Sequence, residues 1–242
     1  MKLHRFSTAL LAAVTVAAVA ACSDDNNDNP TGTGTANTTV RFVNATTGGT
    51  ALDFAQNGTV ATGNGNIAYG GSSSCMRVNN ANPQLTVRTA GSTTSLTGFN
   101  PTFAANGTYT VLVSGTTAAP VYTTLDDAFT TPGAGNAAVR IINATSSATT
   151  GAGNWDIYVN PTATLGTPNA TAVGRNSASS YLTVPAGQTN TIRLTNAGST
   201  TTLQNITVPS ITAGNVTSIV VTDAATGSTT LQTFPLVACT TP

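Results

Sequence analysis

One seven-residue sequence occurs twice in this chain, and the repetition limits the fold more than any other feature. Residues 40–46 read VRFVNAT and residues 139–145 read VRIINAT, an offset of 99 positions. Further matches follow in the same order: Leu52-Asp53-Phe54 with Trp155-Asp156-Ile157, Val87-Arg88 with Ile192-Arg193, Ala90-Gly91-Ser92 with Ala197-Gly198-Ser199, and Gly107 with Gly214. Because the offset grows only to 107 while the order is kept, the chain is predicted to contain two copies of one domain.

The apolar segments inside each copy are short and rich in Val, Ile, Thr and Tyr. Residues 108–113 (TYTVLV) and 216–221 (VTSIVV) are examples, and Gly, Asn and Pro clusters separate such segments. This pattern is typical of strands, and no segment after residue 21 has a sustained helical period. We therefore predict an all-β chain with two tandem immunoglobulin-like β-sandwich domains, at residues 39–131 and 137–242.

The N-terminus has the layout of an export signal. Lys2 and Arg5 precede an apolar run over residues 6–21, which ends in Val-Ala-Ala-Cys. That ending resembles the lipobox of bacterial lipoproteins, so residues 1–21 are predicted to be a lipoprotein signal peptide and Cys22 the lipidated new N-terminus. The alternative is an ordinary signal peptide cut after an Ala-x-Ala site, with Cys22 incidental.

The segment after Cys22 is polar and contains no large apolar residue up to Thr35. Such a sequence cannot bury surface, and residues 22–38 are predicted to form a flexible tether. A membrane contacted through the N-terminal lipid is therefore an expected partner. Ser23, beside the cysteine, is not an acidic residue that would signal retention in the inner membrane. The outer membrane is therefore the expected location in a diderm organism.

The charge inventory beyond the signal is narrow: six arginines and eight aspartates, with no Lys, Glu or His. Without a basic patch the chain is not expected to bind nucleic acid. Without an imidazole it lacks the usual general base, and its cysteines have no paired metal-ligand spacing. We expect no enzyme activity, no cofactor and no metal, although catalysis by aspartate pairs among Asp53, Asp126, Asp127 and Asp156 is formally possible.

A further set of motifs resembles the domain-of-unknown-function family 4397. These motifs are Val-Arg-x-x-Asn-Ala, an Asp within a short strand, residues 181–187 (YLTVPAG) and Gly-x-x-Thr before a Val-rich strand. The resemblance covers most of both repeats and implies exported tandem β-sandwiches without an assigned activity. The first repeat departs from it where residues 75–80 (CMRVNN) replace the Tyr-to-Gly stretch.

Each repeat has an arginine and an aspartate on strands that are expected to be neighbours. The predicted pairs are Arg41 with Asp53 and Arg140 with Asp156. A guanidinium and a carboxylate on one face can form a bidentate ion pair. The pair is interpreted as fixing strand register in both repeats, and a ligand-binding charge pair is the alternative.

Three other residues carry predictions. Cys75 and Cys239 remain after lipidation, and an exported compartment favours a disulfide between them, with two separate buried thiols as the alternative. Trp155, beside Asp156, is predicted to lie in the core rather than to serve as a sugar platform.

Together these features predict a membrane-anchored cell-envelope lipoprotein that acts as a non-enzymatic structural or interaction module. The alternative is a carbohydrate-binding or adhesion protein that uses loops of the sandwich. An envelope protein or a glycan is the expected kind of partner.

Overall fold

The computed structural model describes residues 37–146, 153–224, 230–236 and 238–239, and every regular element in these ranges is a β-strand. The first half of the body has six strands: β1 Asn37–Asn44, β2 Leu52–Gln56, β3 Met76–Asn79, β4 Leu85–Thr89, β5 Thr108–Thr116 and β6 Ala119–Asp126. The second half has nine: β7 Asn136–Asn143, β8 Trp155–Val159, β9 Ala170–Val173, β10 Ser177–Ala178, β11 Leu182–Pro185, β12 Asn190–Asn196, β13 Thr202–Val208, β14 Val216–Asp223 and β15 Leu231–Leu236.

The strands of the described residues form four sheets, two in each half. In the first half, sheet A has the order β3-β1-β5-β6 and sheet B pairs β2 with β4. In the second half, sheet C has β10 and β11 on one side of β7 and β14 and β15 on the other. Sheet D has the order β13-β12-β8-β9. The predicted all-β fold of the sandwich kind is therefore confirmed.

A parallel pair lies at the centre of sheet A and of sheet C. Strand β1 runs parallel to β5 with Arg41 opposite Thr110, and β7 runs parallel to β14 with Arg140 opposite Ser218. Parallel neighbours cannot be joined by a tight hairpin. In each half the chain passes through the second sheet, sheet B or sheet D, between the two parallel strands.

Both faces of these central strands are covered. Seven of the eight residues of β1 and of β7 are buried. Val40 and Phe42 point into the core between sheets A and B, whereas Val43, on the opposite face, contacts side chains of the second half. Apolar residues on both faces, as at Val40, Phe42 and Val43, are typical of strands buried on two faces.

Three apolar clusters account for the packing. The first-half core lies between sheets A and B and the second-half core lies between sheets C and D. A third cluster joins sheet A to sheet C: Val43, Ala45, Leu112, Ile142, Ala144, Val220 and Leu236. The four sheets therefore stack in the order B, A, C, D.

The repeated Asn-Ala-Thr sequence makes the same local turn in each half. Asn44 Oδ1 accepts hydrogen bonds from the amide and the hydroxyl of Thr46, and Asn143 Oδ1 accepts the same two from Thr145. Each asparagine amide group also donates to two backbone carbonyls of its own half. Because a buried asparagine needs these partners, the motif closes the end of each central strand.

One position of the repeat alignment is corrected by the structure. Gly214 has a φ of 82° and its amide donates to Asn136, the first residue of β7. The residue with this geometry in the first half is Asn106, whose φ is 58° and whose amide donates to Asn37. Asn106, and not Gly107, is the counterpart of Gly214, since asparagine tolerates the left-handed conformation.

Within the described ranges, no helix has the length and apolar character that crossing a membrane requires.

Candidate functional site

The two halves meet at a buried cluster of three charged side chains, which we call the charge triad: Arg41, Asp127 and Arg140. Arg41 Nη2 lies 3.2 Å from Asp127 Oδ2, and Arg140 Nη2 contacts Asp127 Oδ1. All three residues are at most 7% exposed. One carboxylate thus binds a guanidinium from each half.

The strand registers explain how the two arginines reach one acid. Arg41 Nε donates to the hydroxyl of Thr110 at 3.1 Å, and Arg140 Nε donates to that of Ser218 at 3.2 Å. Thr110 in turn donates to Asp127 Oδ2 at 2.7 Å. The two arginines therefore project from the outer faces of sheets A and C. These faces become buried only where the halves pack together.

Asp127 is held in place by the chain that follows β6. Its amide donates to the carbonyl of Thr108 at 2.8 Å, which extends the β5–β6 ladder by one bond. The carbonyl of its neighbour Asp126 accepts a bond from Arg140 Nη1 at 2.7 Å. The beginning of the connection between the halves is therefore part of the cluster.

Burial sets the electrostatics of the triad. Burial lowers the pKa of Arg41, Asp127 acts in the opposite direction, and repulsion from Arg140 adds to the lowering. A guanidinium stays charged in proteins, so the carboxylate is required to compensate the two buried cations. Removing one partner of such a buried cluster costs more than the pair contributes when intact, because a charge is left uncompensated.

The predicted pairs Arg41–Asp53 and Arg140–Asp156 are wrong. Strand β2, which carries Asp53, pairs with β4 in sheet B and not with β1, and β8, which carries Asp156, lies in sheet D. The arginines point to the opposite face, toward Asp127. The error came from treating strands that follow each other in sequence as neighbours in one sheet.

The two aspartates nevertheless do the same job in both halves. Asp53 accepts hydrogen bonds from the amides of Asn66 at 2.7 Å and Gly91 at 2.8 Å. Asp156 accepts them on the same two oxygens from the amides of Ala172 at 3.0 Å and Gly198 at 2.8 Å. Each carboxylate thus joins two loops that flank its strand. The two carboxylates lie in different sheets and do not form a pair with each other.

The predicted disulfide between Cys75 and Cys239 is confirmed, with a Cα–Cα distance of 5.8 Å. Cys75 immediately precedes β3, an edge strand of sheet A, and Cys239 follows β15, an edge strand of sheet C. The bond spans a sequence separation of 164 residues and is a covalent link between the halves.

Trp155 is fully buried in the second-half core, as predicted. The predicted lipidation site Cys22, the signal peptide 1–21 and nearly all of the tether 22–38 lie outside the described residues.

Two grooves open on either side of the connection between the halves. The larger one, of about 1140 Å³, is bounded by the loop before β5, the loop before β14 and the end of β15. The smaller one, of about 670 Å³, is bounded by residues 128–133 and by the β10–β11 connection. Both grooves share Asp126, Ala128, Phe129 and Tyr181.

The boundary between the grooves is an aromatic pair, which we call the aromatic ridge: Phe129 and Tyr181. Their ring centroids are 5.8 Å apart, and the Arg140 guanidinium lies 4.9 Å from the Tyr181 ring centre on the buried side. Phe129 is 48% exposed, which is unusual for a large apolar side chain of this body. Tyr181 therefore lies against the charge triad, and Phe129 beside it is about half exposed to solvent.

The charged side chains that line the two grooves are Arg41, Asp126, Asp127 and Arg140. Neither groove is lined by histidine, and the described residues contain no group of three metal-ligating side chains. Sequence reasoning considered Asp127 only as a formal hydrolase acid and did not single out Phe129. A signal for Asp127 was the small number of aspartates that can pair with the two repeated arginines. Asp53 and Asp156 do not serve as partners, because they bind backbone amides.

Comparison with known proteins gives a family match for part of the chain. A search of curated proteins finds no match. Residues 38–150 match the family described as a domain of unknown function, DUF4397. The resemblance expected from the sequence is thereby confirmed for one copy, and that part of the chain is similar to members of this family.

Proposed function

We propose that this protein is a cell-envelope lipoprotein, anchored to a membrane through Cys22, that acts as a non-enzymatic structural or interaction module. The basic and apolar N-terminus, its Val-Ala-Ala-Cys ending and the polar segment behind it support export and lipidation. In a diderm organism the outer membrane is the proposed location. The residues from Asn37 onward form the body that the anchor holds at the membrane surface.

The single observation that carries the structural part of the proposal is the junction between the halves. Asp127 binds an arginine from each half, an apolar cluster joins sheets A and C, and a disulfide connects the same two halves. Domains linked only by a flexible connection are expected to move relative to each other. A junction of this kind suits a stiff spacer or a platform with a fixed binding surface.

We further propose that the second half is another copy of the DUF4397 domain. The equivalent contacts of Asp53 and Asp156, and of Asn44 and Asn143, support this duplication. The β1–β5 and β7–β14 parallel pairs support it as well.

Lipid anchoring is tested by metabolic labelling with an alkyne fatty acid, followed by membrane fractionation. The wild-type chain is expected to carry the label and to sediment with membranes, and Cys22→Ser is expected to lose both properties. Cys239→Ser is the matched cysteine control and is expected to keep the label. A labelled Cys22→Ser chain, or an unlabelled wild type, would overturn the proposed anchor.

The non-enzymatic part is tested by incubating the purified protein with panels of glycoside and ester substrates. We expect no turnover above that of a heat-denatured control. Robust turnover that disappears on substitution of one aspartate, for example Asp126→Asn, would contradict this part of the proposal.

A further inference from the structure

The aromatic ridge and the two grooves beside it form a surface that the structural role does not need. The Tyr181 ring lies over the buried Arg140 guanidinium of the triad. Phe129 packs on the outer side of Tyr181 and still leaves about half of its own surface in water. The Phe129 ring therefore buries little apolar surface in the fold, and its exposed part can contact a ligand.

The exposed polar side chains that line the smaller groove are hydroxyls and one carboxylate, and Arg140, which also lines it, is buried. The smaller groove presents the exposed hydroxyls of Thr130, Thr131, Ser180 and Thr183 next to the exposed side chain of Asp126. Hydroxyls both donate and accept hydrogen bonds, and a carboxylate only accepts them. Such groups complement a ligand that is itself rich in hydroxyls and carries no charge.

The shape of the site favours a long ligand over a small one. The grooves of about 1140 Å³ and 670 Å³ are both lined by the two residues of the ridge. A chain that crosses the ridge would occupy both grooves and lay one unit across the exposed Phe129 ring. Binding sites generally combine apolar and aromatic walls with a few placed polar groups, and this site has both.

From these observations we propose that the ridge and its grooves bind an uncharged polysaccharide, with the apolar face of one pyranose ring stacked on Phe129. The inference rests on the proposed function, because it names the partner class of the interaction module. The proposed binding surface is the connection between the halves, whereas the alternative drawn from the sequence used the sandwich loops.

The test uses affinity electrophoresis of the full mature chain, made soluble by Cys22→Ser, in gels that contain a soluble β-glucan, a glucomannan or starch. We expect at least one of these neutral polysaccharides to retard the wild-type body. Phe129→Leu is expected to weaken binding about tenfold or more, since leucine keeps apolar volume but has no ring face, and Phe129→Trp is expected to restore it. Far-ultraviolet circular dichroism and a melting curve show that each variant folds.

Val121→Ala is the matched control, because Val121 is 47% exposed, almost the same as Phe129, but does not line either groove. It is expected to bind like the wild type. The proposal is overturned if no polysaccharide retards the wild type, if Phe129→Leu binds normally, or if Val121→Ala loses binding to the same extent. None of these outcomes affects the labelling of Cys22, so failure here is distinguishable from failure of the proposed anchor.

Discussion

Arg41 and Arg140 occupy equivalent positions in two different sheets, and their guanidinium groups contact different oxygens of the same carboxylate, that of Asp127. In sequence, Asp127 lies 86 residues from Arg41 and 13 residues from Arg140. The second half has no acid at the matching place: Leu125 pairs with Thr110 and Leu236 with Ser218, so Ala238 stands where the first half has Asp127. The duplicated arginines therefore depend on one residue of the connection, which makes the junction asymmetric.

Asp127→Ala is expected to destabilise the protein strongly. Two buried guanidiniums would lose their common carboxylate, and breaking such a buried cluster costs about 3–5 kcal/mol. Guanidinium chloride unfolding measures the change, and Asp126→Ala is the control because its side chain is exposed. A loss below about 1 kcal/mol for Asp127→Ala, or equal losses for the two variants, would contradict the role of the triad.

Asp53→Asn and Asp156→Asn are expected to have similar effects, each with a loss of about 1–3 kcal/mol. The reason is that each carboxylate accepts two backbone amide bonds and an asparagine side chain has only one acceptor oxygen. Thermal or denaturant unfolding of both variants provides the comparison. Unchanged stability of Asp156→Asn would refute the loop-joining role of that carboxylate.

Ala172→Asn is expected to stabilise the second half by about 1 kcal/mol, because an alanine in the left-handed region is strained and asparagine relieves the strain. Ala172 has a φ of 51°, and its counterpart Asn66, with a φ of 53°, makes the same bond to an aspartate. The measurement is the shift of the unfolding midpoint. Thr171→Asn is the control because Thr171 is an exposed neighbour outside the left-handed region, and a gain there as large as at position 172 would argue against relief of strain.

Replacement of Cys75 and Cys239 by serine is expected to lower the stability by up to about 5 kcal/mol, the value for a closed loop of this length in the chain-entropy model. The unfolded, unreduced Cys22→Ser chain is expected to show no reactive thiol, and two after reduction. Thiol titration and unfolding of the double variant provide the measurements. Two reactive thiols before reduction would disprove the bond.

Tyr122 is expected to make the stability fall at high pH. Burial raises the pKa of Tyr122 to about 12 from its ordinary value of 10.0. Between these two values the unfolded chain releases the phenol proton and the folded chain keeps it, so stability present below pH 10 is lost as the pH rises toward 12. Tyr122→Phe is expected to flatten this decline, and identical pH profiles of the two proteins would contradict it.

Much of the architecture was predictable from short-range patterns. The repeated heptapeptide indicated equivalent central strands, and strand-like composition indicated an all-β chain. The burial of Trp155 and the pairing of Cys75 with Cys239 also followed from residue type and compartment. The lipidation of Cys22 stays a prediction, because it concerns residues outside the described ranges.

The pairing of the arginines could not be predicted in the same way. Alternation along β1 shows that Arg41 and Phe42 point to opposite faces, but it does not show what covers either face. Arg41 and Asp53 lie on consecutive strands, which suggested one sheet, whereas β1 and β2 lie in different sheets.

The amino-acid sequence by itself determined the strands and the residues that can form a core, because these depend on local propensity and on a two-residue period. Only the tertiary structure decided that sheets A and C pack face to face, that Asp127 serves both arginines, and that Phe129 stays in water beside two grooves. These features arise from contacts between residues far apart in the chain, and such contacts exist only after the two halves have packed together.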